Sequence, residues 1–250
     1  MLEVTTFSIS ARCARTGMLG TAVSTAVPGV GGICCFVEPK VGAIATQAWV
    51  NPYLGIDGLR LLEDGRSAQE VLDRLIKDDP GRDVRQVGIV DSLGSSVAWT
   101  GSACTDWFGH ITGPNYSVQG NMLIGEETIR AMAKSFEKSE SLDFPERLMM
   151  ALEAGQKAGG DKRGRQSAAV LIYKTEGYPY LSLRVDEHSS PVAELRRVLE
   201  VARHQLLPFV DGLPSRANPL GALSKEVIDV LMTPPHLRPG RAGSSSEENF

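Results

Sequence analysis

The sequence is short of several residue types and patterns, and each shortage removes a class of function. Four histidines and four cysteines occur in 250 residues, and none sits at the spacing of a zinc or redox motif. Cys34 and Cys35 are adjacent, which disfavours a bridge between them, so buried reduced thiols are expected at Cys13, Cys34, Cys35 and Cys104. Of these, Cys13 is the best placed for a nucleophile, because it follows the first strand-like segment. Neither sign of charge is in excess. With 26 basic and 30 acidic residues the net charge is −4, which gives no electrostatic footing for nucleic acid. Long apolar runs are missing too: "GAIATQAWV" falls far below the roughly 20 residues of a bilayer span. The first residues, with Glu3 and no basic flank, do not read as a signal peptide. No internal repeat of fixed period occurs. The expectation is a cytoplasmic protein with no metal, cofactor, nucleic-acid partner or membrane partner, acting on a small molecule; a homo-oligomer is compatible with this.

What is present suits a packed core. A hydrophobic content of 42% with 22% charge is that of a globular chain, and 250 residues allow one large domain or two small ones. "TTFSISAR" alternates like a strand, "RTGMLG" supplies a turn, and "TAVSTAV" returns. "GICCFV" and "VGAIATQAWV" read as two more strands. The period then changes to three and four in "GIDGLRLLEDG" and "SAQEVLDRLIKDD", where Ser67 and Glu70 form a capping-box pattern. "VRQVGIVD", "SSVAWTG", "WFGHIT" and "YSVQGNMLIG" return to strands, followed by helices over 126–139 and 145–159. "SAAVLIYKT" and "YLSLRVD" close the strands, and "PVAELRRVLEVARHQL" is a long helix. Blocks of strands alternating with helix pairs predict an α+β fold: two antiparallel sheets, each covered by helices, in a four-layer αββα sandwich. The expected domain spans 1–207. A linker with one short helix follows over 208–233, and a disordered tail over 234–250, rich in Pro, Gly, Ser and acids.

Seven stretches carry a family resemblance: "TTFSISAR", "GAIATQAWVNPYLGIDGLRLL", "DPGRDVRQVGIVD", "GSACTDWFGH", "YSVQGNMLIG", "ALEAGQKAGGDKRGRQSAAVL" and "LRVDEHSSPVAELRRVLE". In unbroken order over roughly residues 5–205, they resemble the domain-of-unknown-function family DUF1028 of the N-terminal-nucleophile (Ntn) hydrolase superfamily. The resemblance implies an αββα sandwich and descent from amide-bond hydrolases. It also implies that Thr6 stands where family members, which commonly begin Met-Thr-Phe-Ser-Ile, carry a terminal threonine. Here Met-Leu-Glu-Val-Thr precedes Thr6, and Leu2 is too bulky for ordinary Met removal, so a free amine at Thr6 requires cleavage after Thr5. The family pattern places an acid where this chain has Cys13 and a basic or imidazole residue where it has Thr25.

Around Thr6 several polar residues are candidates for binding substrate. Ser8 and Ser24 are expected to line the same face of the sheet. Gln47 and Asn51, at the end of an apolar strand, carry amides able to hold a carbonyl or an oxyanion; Asn51-Pro52 is equally a turn before a helix. Gln119 and Asn121 flank a mid-strand glycine, a mark of close backbone approach. Trp107 and His110 flank Gly109, and His110 is a candidate for binding or for structure. The loop "AGGDKRGRQS" offers Asp161, Arg163 and Arg165, either as a grip on a substrate carboxylate or as an ion-pair knot with Glu153; Asp186 is a further partner for its arginines. The expected activity is hydrolysis of an amide, ureido or lactam-like C–N bond by Thr6. The alternative is a binding module that never exposes the amine.

Overall fold

The computed structural model describes residues 6–240. Its strands are β1 (Thr6–Arg12), β2 (Leu19–Thr25), β3 (Cys35–Glu38), β4 (Gly42–Ala48), β5 (Arg85–Asp91), β6 (Ser96–Thr100), β7 (Gly109–Gly113), β8 (Tyr116–Asn121), β9 (Ser167–Tyr173) and β10 (Leu181–Val185). They form two antiparallel sheets, one ordered β10-β9-β2-β1-β8-β7 and the other β3-β4-β5-β6. The helices are α1 (Pro52–Glu63), α2 (Ala68–Asp78), α3 (Glu127–Lys138), α4 (Phe144–Lys157), α5 (Pro191–Gln205), α6 (Leu207–Asp211) and α7 (Lys225–Met232).

Local chemistry sets the elements. Ser67 and Glu70 close the expected capping box on α2, Asn51 caps α1, and Asp143 caps α4. The "RTGMLG" turn closes with Gly17 at φ 73°, where a side chain would be strained. Between β5 and β6, the Asp91 carboxylate accepts from the backbone of Leu93 and Ser95. The third strand begins later than "GICCFV" suggests: Val30–Gly32 make a 3-10 turn, and Cys34 N–H bonds back to Val30.

α1 and α2 cover one face of the four-stranded sheet, where Ile44, Val87 and Ile89 meet Leu54, Val71, Leu72 and Leu75. α3 and α4 cover the outer face of the six-stranded sheet; a Cβ at Gly155 of α4 would meet Met132 Cγ at 2.7 Å and Phe7 at 3.2 Å. The sheets stack between these helix pairs, giving the expected four layers. The space between the sheets is divided. On the β2–β9 side it is apolar, with Val23, Cys34, Cys35, Ala45 and Ala169 in one cluster and Leu19, Val37 and Ala43 in another. On the β1–β8 side it is polar.

The chain divides into two compact units, Met1–Leu195 and Arg196–Phe250. Within the second, α6 starts at Leu207 with Pro208 in its first turn, in a stretch whose composition suggested only linker. Ser224 caps α7, and Arg238 donates to the carbonyls of Leu231 and Thr233. Of the expected tail, Pro235–Leu237 form a 3-10 turn, and residues 241–250 lie outside the described residues.

Candidate active site

Alternation along β1 sends Phe7, Ile9 and Ala11 toward α3 and α4, and Thr6, Ser8 and Ser10 toward the other sheet. Both sets are buried, because β1 is an inner strand of a sheet covered on both faces. The polar face is therefore interior, not solvent. Register arranges it in rows. Thr6 lies between Thr25 on β2 and Asn121 on β8; Ser8 lies beside Gln119, which lies beside His110 on β7. On the facing sheet, Gln47, Gln86 and Thr100 form an opposed row across β4, β5 and β6.

These rows bond to each other across the sandwich. Ser8 Oγ donates to Gln47 Oε1 at 2.6 Å and receives Gln119 Nε2 at 2.8 Å. Gln47 Nε2 donates to Gln86 Oε1 at 2.6 Å and to the Thr6 carbonyl at 3.2 Å. Asn121 Nδ2 reaches the same Gln86 oxygen at 3.1 Å. Gln86 Nε2 in turn has two hydrogens for three acceptors, Thr100 Oγ1 and the carbonyls of Gly109 and Gly120, at 2.9, 3.0 and 2.9 Å. Thr6 Oγ1 and Thr25 Oγ1 are 3.2 Å apart. Gly88 is required where the sheets come closest, since a Cβ there would lie 2.2 Å from Gln119 Oε1.

The loop before β9 is fastened at the same end of the sandwich as Thr6. Asp161 is buried; its Oδ2 accepts from Ala26 N–H at 3.0 Å and its Oδ1 from Arg163 N–H at 2.7 Å. Arg163 Nη2 lies 3.3 Å from Asp161 Oδ2. Lys162 N–H bonds to Met122, and Gln166 N–H to Thr25. Asp161 and Lys162 thus tie together the chain just beyond both cross-strand neighbours of Thr6.

The structure gathers Thr6, Ser8, Gln47, Gln119 and Asn121 into one network, with His110 joined at its edge through Thr100 and with Asp161 and Arg163 at the strand end. Three other candidates lie apart. Ser24 pairs with Phe7 and so points to the helix side, opposite to Ser8: the two serines do not share a face, because they are one residue out of phase in the β1–β2 register. Asn51 accepts Tyr53 N–H as the α1 cap and donates to Asp79, in a cluster with Arg85. Arg165 lines a cavity of about 280 Å³ with Glu153, Gln156 and Lys157. Asp186, just past the end of β10, pairs with Arg184 of that strand. Sequence reasoning missed Gln86 and Thr100, and named Thr25 only as a departure from the family pattern. The alternation of "VRQVGIVD" puts Gln86 on the face of Gly88, which was the available signal.

All four cysteines are buried with free thiols, and Cys13 sits at the far end of β1 from Thr6. Two larger cavities, of about 550 and 640 Å³, open beside α1–α2 and beside α2, β6 and β7. Thr6 lines neither. Among the described residues, no group of three or more His, Cys, Asp or Glu side chains could hold a metal ion, and no helix is long and apolar enough to cross a membrane.

Residues 6–195 match the model of DUF1028, a family of unknown function. Among solved structures, the chain is similar to a Silicibacter pomeroyi protein assigned to that family model, with 30% identity and a TM-score of 0.80 over 88% of this chain and 100% of the other. A looser likeness, 12% identity and a TM-score of 0.36, is to Anbu (ancestral beta-subunit) from Yersinia bercovieri, over 84% of this chain and 98% of that one. No curated protein matches the chain.

Proposed function

The chain belongs to the DUF1028 family of unknown function, and from that premise we propose that it is a hydrolase of amide, ureido or lactam-like C–N bonds in a small molecule, with Thr6 as nucleophile. The observation that carries this reading is the placement of Thr6. It opens an inner strand, with Thr25 and Asn121 on either side and the Gln47 amide on its own carbonyl. Asn121, the cross-strand neighbour of Thr6, spends one amide hydrogen on Gln86 and has a second to offer the oxyanion that forms when the hydroxyl attacks a carbonyl.

In this reading, cleavage after Thr5 creates the α-amine that takes the hydroxyl proton, because a peptide nitrogen cannot act as a base. The hydroxyl oxygen adds to the carbonyl, the C–N bond breaks, and the amine returns its proton to the leaving nitrogen. Water then releases the acyl or carbamoyl group from Thr6. Such an amine titrates near ~7.7–8.0, so turnover rises with pH through that range as the amine deprotonates. Arg163, beside Asp161 at the same strand end, is the candidate anchor for a substrate carboxylate.

A second reading, a binding module of the same fold, is favoured by a specific observation: Thr6 is only 1% exposed, and its oxygen atoms are already engaged within the protein. The two readings separate in one experiment. A chain beginning Met-Thr6-Phe7 loses its Met, which intact mass verifies, and is assayed on a panel of small amides, ureides and lactams. The hydrolase reading expects turnover above that of the full chain, and its abolition by Thr6→Ala with the melting temperature kept. Equal turnover by the Thr6→Ala variant removes Thr6 as nucleophile, and a full-length chain that binds but does not turn over any substrate in either form supports the binding module.

A further inference from the structure

The cavity of about 640 Å³ between α2, β6 and β7 has the size of a small-molecule site. Leu72 and Ile76, both buried on α2, supply its apolar floor. Trp99 supplies a flat wall; its indole N–H is fixed on the Arg82 carbonyl at 2.9 Å, which holds the ring in place. Two exposed cations, Lys77 and Arg82, stand at the rim, and neither forms an ion pair among the described residues. The acid at the rim, Asp73, accepts from the Gln69 amide at 2.8 Å. The cavity therefore has an excess of positive charge beside an apolar floor.

His110 adds a directed donor. Thr100 Oγ1, which lies 2.9 Å from Gln86 Nε2, has a hydroxyl hydrogen to give and can donate it to His110 Nδ1, 2.8 Å away. With Thr100 as donor, the proton of the neutral imidazole sits on Nε2, the nitrogen not engaged by Thr100. Partial desolvation holds the ring below the ordinary imidazole range, which favours the neutral form. The network thus gives Nδ1 of His110 a partner and leaves Nε2 of this cavity-lining side chain unengaged by Thr100.

We propose that this cavity binds a small organic anion with a flat apolar body, of the aromatic carboxylate class. The body lies over the Leu72–Ile76 floor and alongside Trp99, which packs on the same cluster. Arg82 grips the carboxylate with Lys77 adding charge, and His110 Nε2–H donates to it. An arginine fork matches the planar carboxylate, and the indole face matches a planar ring. This site is distinct from Thr6 and does not depend on Thr6 being a nucleophile.

The test uses the full chain, with naphthoate as probe and naphthylmethanol as its uncharged counterpart, by calorimetric titration and by the shift of the Trp99 indole N–H resonance. Naphthoate is expected to bind with a Kd of about 1 mM or tighter, the range for a ligand of this size. Naphthylmethanol should bind roughly tenfold more weakly, and Arg82→Gln and His110→Phe should each weaken naphthoate by roughly tenfold while leaving the alcohol unchanged. Melting temperatures identify any variant that fails to fold; Lys77→Gln, at an exposed side chain, then replaces it with the same expectation at a smaller factor. No saturable binding of naphthoate, equal affinity for acid and alcohol, or an unmoved Trp99 resonance would overturn the proposal.

Discussion

Gln86 has both ends of its amide committed: its oxygen accepts from Gln47 and Asn121, and its nitrogen faces three acceptors on β6, β7 and β8. Leucine has nearly the same size but no hydrogen bonds. Gln86→Leu strands Asn121 Nδ2 and removes one of the two acceptors of Gln47, in a region fully out of water. Each orphaned group costs about 1–3 kcal/mol, so a loss of at least about 2 kcal/mol is expected in a urea titration. A neutral result would mean that the network relaxes around the gap and that Gln86 is not its hub. The residue types of this site were legible in the sequence, since Thr6, Ser8, Gln47, Gln119 and Asn121 sit at strand ends or alternate positions. Their environment was not. Period-two alternation separates two faces of a strand without saying what covers each one, and only sheet stacking turns the Thr6–Ser8–Ser10 face into an interior. Gln86 depends on that same non-local stacking.

Between α1, α2 and the start of β5, a second polar cluster secures the outer helices. Asp79 accepts from Arg85 Nε at 2.9 Å, Gly81 N–H at 2.7 Å and Asn51 Nδ2 at 3.3 Å. Burial pushes the Asp79 carboxyl up, but the Arg85 bond, the Gly81 N–H and Asn51 outweigh it and hold the group below its ordinary range. A folded pKa below the unfolded value of ~3.9 means that the stabilisation is complete above that pH and is lost as pH falls through the folded pKa. Asp79→Ala leaves Arg85 half-buried without its carboxylate and should cost roughly 3 kcal/mol near neutral pH. The gap between wild type and variant should narrow as pH drops below ~4. Thermal melts of both proteins across that range check the sign; a gap that stays constant would show that Asp79 acts as a neutral spacer. At this scale the sequence was informative. The α2 capping box is a local device, and α2 starts just after Ser67, as the Ser67–Glu70 pattern implied. Boundaries set by tertiary bonds were less visible. β2 ends at Thr25 because the next residue, Ala26, gives its N–H to Asp161, far along the chain.

At the scale of the whole chain, two boundaries fall at the same residue and a helix crosses both. The family match ends at 195 and the first compact unit ends at Leu195, yet α5 runs from Pro191 to Gln205. A cut at 195 leaves five residues of α5, too few to hold a helix unaided, and discards Leu199 and Ala202, both buried. We therefore propose that the folding domain is 1–207, past the last turn of α5. A chain ending at 207 is expected to melt cooperatively within about 5 °C of the full protein, since a change of 1 kcal/mol moves a domain of this size by roughly 2–4 °C. A chain ending at 195 should melt lower than that, or without a sharp transition. Circular dichroism melts of the three chains decide. If the 207 chain loses its transition while the full chain keeps it, α6 and α7 belong to the folding unit. The boundary would then lie beyond 207, although the family match and the first compact unit both stop at 195.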